Sequence, residues 1–187
     1  MTDEQFQILK KEFINNVKEY VIENGGIFPH ISVFADTKYV DDEDKTKPAM
    51  IHIPIPEELM IDDEGKDKFV DDVFPDIVKE IKTKFTPTAL AWTSEAWVRT
   101  IDKTNSSDYE RLQKNWKELP IEKEVIIITI ESKDDKECVI YDIVRKGKSV
   151  TTDGDIIDNI ELIQSENLSN PKGVEGRFSG LFSKLKD

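Results

Sequence analysis

The chain has one cysteine, Cys138, and two histidines, His30 and His52, among its 187 residues. A lone cysteine cannot close an intrachain disulfide, and it excludes zinc sites built from several thiolates. Its neighbours Val139 and Ile140 are apolar, so Cys138 reads as a small buried hydrophobe rather than a nucleophile. The 8 glycines form no GxxxxGKS/T phosphate loop, no GxGxxG dinucleotide turn and no GxSxG nucleophile elbow. No apolar run approaches the ~20 residues that cross a bilayer. The N-terminal MTDEQFQILKKEF is charged where a secretion signal would be apolar. These absences lead to the expectation of a cytoplasmic protein with no membrane partner. Basic charge is also short: 26 Lys+Arg against 39 Asp+Glu leave −13. Such a chain repels phosphate, which argues against a broad electrostatic grip on nucleic acid.

What is present can build a core. The apolar fraction is 37%, with nine Phe and three Trp, and the length suits one domain. Phe6, Leu9, Phe13, Val17 and Tyr20 recur at helical steps over 3–24, behind Thr2 as N-cap and before Gly25-Gly26 as a stop. IFPHISVFAD (27–36) and AMIHIPIP (49–56) read as strands, the second at a sheet edge because Pro54 lacks an N–H. Phe69, Val73, Ile77, Ile81 and Phe85 mark a helix over 66–85, which Pro75 should kink or split near Phe74. A strand over 88–101, a short helix over 106–119, a hairpin of 124–132 with 138–145, and a further strand over 155–164 complete the pattern. Hairpins dominate and no βαβ unit repeats. The expected fold is therefore α+β, an antiparallel or mixed sheet of five to six strands with helices mainly on one face. Residues 1–165 form the domain; 166–187 read as a Gly/Ser-containing connector and a short amphipathic C-terminal helix.

The combination of LAWTSEAWVR, a Trp-containing linker ending in Leu-Pro, and EVIIITIESKD resembles small phage and bacterial proteins of unknown function. In these a Glu-and-Trp strand precedes a Pro loop and an Ile/Val-rich strand. Glu95, Trp97, Pro120, Glu124 and the run Val125–Ile130 match, over residues 88–132. The resemblance implies a fold type and a viral setting, and no chemistry.

Two places invite chemistry. In the 88–101 strand, Leu90, Trp92, Ser94, Ala96 and Val98 share one face, read as the core side. Ala91, Thr93, Glu95, Trp97 and Arg99 share the other. A carboxylate held against indole loses hydration, and its raised pKa suits a general acid or base. Ordinary polar residues on an outer sheet face, with Trp97 packed on a neighbour, account for the same letters. Glu95 and Arg99 stand about 13 Å apart at Cα by strand rise, too far to guarantee a pair. The second place is His30 and His52, on strands expected to pair. On one surface near Glu95 they would make a His-His-Glu set able to hold zinc or iron. No HExxH, HxH or HxxxH spacing supports it, and no metal or cofactor is assigned. DDEGKDK (62–68) and DGDIID (153–158) imitate calcium loops in composition but misplace the glycine.

Phe178, Leu181, Phe182 and Leu185 fall at helical spacing in the tail. They either dock in a groove on a protein partner or pack back on their own domain. The function expected from these features is a non-enzymatic protein-interaction module. The alternative is a small hydrolase or metal-dependent enzyme using Glu95 with His30 or His52.

Overall fold

Thr2 opens the first helix with a reciprocal capping box: its hydroxyl accepts the Gln5 N–H at 3.2 Å, and the Gln5 side chain accepts the Thr2 N–H at 2.9 Å. Helix α1 (Asp3–Asn24) ends at Gly25, whose φ of 75° suits a residue without Cβ and whose N–H reaches the Val21 carbonyl. The computed structural model describes residues 2–37, 49–60, 62–99, 121–150, 154–169 and 181–184. The expected 106–119 helix lies outside them.

Among the described residues six strands follow: β1 (His30–Thr37), β2 (Ala49–Pro54), β3 (Phe85–Arg99), β4 (Ile121–Ser132), β5 (Lys136–Val150) and β6 (Ile156–Ser169). They form one sheet in the order β2-β1-β3-β4-β5-β6, and every pairing is antiparallel. β2, β1 and β3 thus lie side by side, with Pro54 on an edge strand as its missing donor requires. The apolar run of β4 is central, and Val125, Ile126 and Ile128 are all buried.

Between β2 and β3 the chain passes through a 3-10 turn (Glu57–Leu59), helix α2 (Asp63–Lys68), a π turn (Phe69–Val73) and helix α3 (Phe74–Lys84). The helical segment is divided at Phe74, as expected, and Pro75 sits in the first turn of α3. It has no N–H to offer the preceding turn, and the wider π turn absorbs the mismatch: the Phe74 N–H bonds to the Phe69 carbonyl, five residues back. Phe69 and Phe74 are then both fully buried, with ring centroids 6.1 Å apart.

The two helical layers lie on opposite faces of the sheet. Ala89 and Ala91 of β3 pack in one cluster with Phe6, Phe13, Val17 and Val21 of α1. Leu90, between them, packs with Phe69, Phe74 and Val78. Successive strand residues face opposite ways, so α1 covers one side and the α2–α3 segment the other. This corrects the expectation of helices mainly on one face. The reason is visible in β1, where Ile31 and Val33 join one cluster and Phe34 the other; both faces need cover. It also corrects the reading of β3, whose Ala91 and Thr93 are as buried as Leu90.

β6 carries the sheet past residue 165, through Ser169. A final turn of helix, α4 (Leu181–Lys184), packs against the α2–α3 side. Among the described residues no helix is long and apolar enough to cross a membrane.

Candidate functional site

The β1–β2 register sets His52 opposite Ser32 and Pro54 opposite His30. Ser32 and His30 alternate with Ile31 and Val33, so both imidazoles stand on the α1 side. Their ring centroids are 5.6 Å apart at an interplanar angle of 65°. Each ring is held from behind. The His30 Nδ1–H donates to the Phe28 carbonyl at 3.0 Å, which leaves Nε2 as the acceptor of the neutral ring. His52 Nδ1 and Ser32 Oγ share a hydrogen bond of 2.9 Å. Burial lowers the pKa of His30 below its ordinary value; the Phe28 carbonyl opposes this and the nearby His52 adds to it.

The two rings line a cleft of about 550 Å³ between α1 and the β1–β2 hairpin. Phe13, Val17 and Tyr20 form the helix wall, Phe28 the lip, and Met50 and Pro54 the strand wall. Phe28 is 78% exposed, and Tyr20 and Met50 are also largely exposed. The chain is 35% charged, yet among the described residues no Asp, Glu, Lys or Arg lines the cleft.

Glu95 faces the same side of the sheet but is engaged elsewhere. One carboxylate oxygen accepts the Ile27 N–H at 2.8 Å; the other lies 3.8 Å from Arg145 Nη2. Arg145 in turn binds Glu124 at 2.6 Å and Asp158 at 2.5 Å. Arg145 has its pKa raised first by the Glu124 hydrogen bond, and Asp158 has its pKa lowered first by Lys148 and then by Arg145. Gly25 and Gly26 press into this network: a Cβ at Gly25 would meet Asp158 N at 2.9 Å, and one at Gly26 would meet Glu95 Oε1 at 2.6 Å. Glu95 therefore ties the turn after α1 to β3, and it does not line the cleft.

Of the expected His-His-Glu set, the structure brings together the two histidines. Among the described residues no group of three or more His, Cys, Asp or Glu side chains is placed to hold a metal. Ser32 is fully buried, so no substrate carbonyl reaches its Oγ and the hydroxyl orients His52 instead. Trp97 is 62% exposed rather than packed on a neighbour. The Arg99, Phe178 and Leu185 side chains lie outside the described residues. Leu181 and Phe182, expected as candidate anchors for a partner, are 1% and 7% exposed within the chain's own core. The Phe182 N–H also donates to buried Glu131 at 3.4 Å. These two side chains are occupied internally because the sheet face beside α3 leaves space that they fill. Cys138 is buried, and burial raises its thiol pKa.

Two elements of this region escape sequence reasoning. Arg145 reaches Glu95 across two intervening strand pairings, a contact no local spacing announces. The cleft is made of residues that looked like core, and only the absence of charge among Phe28, Pro29 and Pro54 hinted at it. The chain matches no known family model, no curated protein and no solved structure.

Proposed function

We propose that the chain is a non-enzymatic interaction module whose cleft between α1 and the β1–β2 hairpin receives an apolar anchor side chain of a protein partner. The observation that carries this reading is the uncharged lining in a heavily charged chain. Its volume lies in the range of pockets that take a drug-sized ligand, which is room for a bulky anchor side chain and its neighbours. Exposed Phe28, Tyr20 and Met50 supply the aromatic and thioether surface that protein interfaces favour. The net charge of −13 suits a partner whose anchor is flanked by basic residues. Full burial of Ser32 and the engagement of Glu95 with Ile27 and Arg145 weigh against a hydrolytic role for either residue.

The test is an NMR titration with short peptides that each carry one Phe, Leu or Trp anchor. Shifts are expected to cluster at residues 13–30 and 50–54. Phe28→Glu and Met50→Glu, both at exposed positions, should weaken binding at least tenfold with little change in thermal midpoint. Shifts elsewhere, or binding indifferent to both variants, would overturn the reading. Binding of small apolar compounds but of no peptide would reassign the cleft to a small-molecule ligand.

A further inference from the structure

The sheet has two unequal edges. β2 offers six residues and ends in Pro54. β6 offers 14 residues and, among the described residues, pairs only with β5. An open edge is a row of unmet backbone donors and acceptors, which proteins usually blunt with proline, lysine or a short strand. Residues Ile156–Ser169 contain no Pro, Gly, Lys or Arg. Two bulges interrupt the β5–β6 ladder, but Ile160–Gln164 and Glu166–Ser169 pair in regular register. Glu161, Ile163 and Glu166 pair with Val144, Asp142 and Ile140, which alternate along β5, so these three share the face away from α1. All three are exposed. Lys146 and Lys148 reach Glu161 and Asp158 from the β5 side; Glu166 makes no ion pair among the described residues.

We infer that the outer edge of β6 accepts an extended basic segment of another protein as a seventh strand. Main-chain hydrogen bonds supply the affinity of such an addition, and alternate side chains supply its selectivity. On the face away from α1 the added strand reads basic, apolar, basic, opposite Glu161, Ile163 and Glu166. Opposite charges across a strand pair stabilise it and like charges destabilise it. A second copy of this chain is the wrong occupant. Its β6 has no basic residue to offer in any register, and each copy brings a charge of −13.

The probe is a fluorescein-labelled Lys-Thr-Val-Thr-Lys peptide (the Lys-Val peptide), whose alternate residues put Lys, Val and Lys on one face; it is titrated into the full chain by anisotropy against a Glu-Thr-Val-Thr-Glu counterpart (the Glu-Val peptide), with hydrogen exchange followed in parallel. The Lys-Val peptide is expected to bind and to slow exchange within residues 156–169. Glu161→Lys combined with Glu166→Lys should weaken it about tenfold, the size of reversing two cross-strand charge pairs, and should admit the Glu-Val peptide. Ile163→Lys, at another exposed position, gives a second variant if the first folds poorly. Phe28→Glu should leave this binding intact, which separates it from the cleft reading. Failure of the Lys-Val peptide to bind would overturn the inference. So would equal binding to wild type and variants, protection outside β6, or a dimer in sedimentation that the variants abolish.

Discussion

Thr93 is fully buried on β3, and its hydroxyl makes no hydrogen bond among the described residues. Burying an unpaired hydroxyl costs about 1 to 3 kcal/mol. Thr93→Val keeps the β-branched shape and removes that cost, so it should raise unfolding stability by about 1 kcal/mol in a urea titration. Glu95 is the opposite case. Glu95→Ala strands the Ile27 N–H and leaves Arg145 without one of its carboxylates, and is expected to lower stability by about 1 to 3 kcal/mol. In the sequence this carboxylate looked like a candidate acid or base beside Trp97. The alternation that put it opposite Trp92 was legible; its partner Ile27, 68 residues away, was not, because capping contacts between distant segments leave no periodicity. His30 carries a pH signature. Its folded pKa lies below the ordinary 6.5, so the unfolded chain takes up the proton more readily. The contribution is fully present above pH 6.5 and is lost as pH falls through that value, levelling below the folded pKa. The urea midpoint should therefore drop between pH 7.5 and 5.5, and His30→Asn should flatten the drop. The lowered carboxyls of Asp142 and Asp158 act later, losing their stabilisation only as pH falls below about 3.8.

At the scale of elements, periodic apolar spacing located α1, the hairpins and the α2–α3 segment, because each buries a stripe or an alternating face. Strand ends were harder to read. β6 runs past the expected boundary into Ser165–Ser169, where Ser, Glu and Asn carry no strand preference and the β5 ladder alone holds them in place. The end of α1 is specified more tightly than its sequence suggests. Gly25 combines a left-handed φ with a backbone close to Asp158, so Gly25→Ala should cost at least about 1 to 2 kcal/mol, the ordinary left-handed penalty. The Pro75 region shows how a local rule yields to packing. Two phenylalanines five apart would point in different directions on a regular α-helix, and the π turn returns both to the core. The tail contributes to the same layer: Leu181→Ala removes a fully buried side chain and is expected to lower stability by about 2 to 5 kcal/mol in denaturant unfolding.

For the whole molecule, hairpin chemistry and the edge signal of Pro54 were enough to foresee an antiparallel or mixed sheet with helices. The strand order was not legible, since β1 pairs with β3 across the whole α2–α3 excursion and no turn residue announces that seam. Helix placement was misjudged because apolar residues on both sides of β1 and β3 read equally well as one thick face. The order has a mechanical outcome. Among the described residues β2 meets the sheet only through β1, and β1 meets the other strands only through β3. Within the sheet the hairpin is thus joined along one seam, with Ile31, Val33 and Ile53 packed on the α2–α3 layer, and the outer units of a sheet open sooner than its middle. The cleft straddles that hairpin and α1. A side chain lodged there would act as a rivet, fastening the outermost pair of strands to the helix and slowing the fraying of that corner.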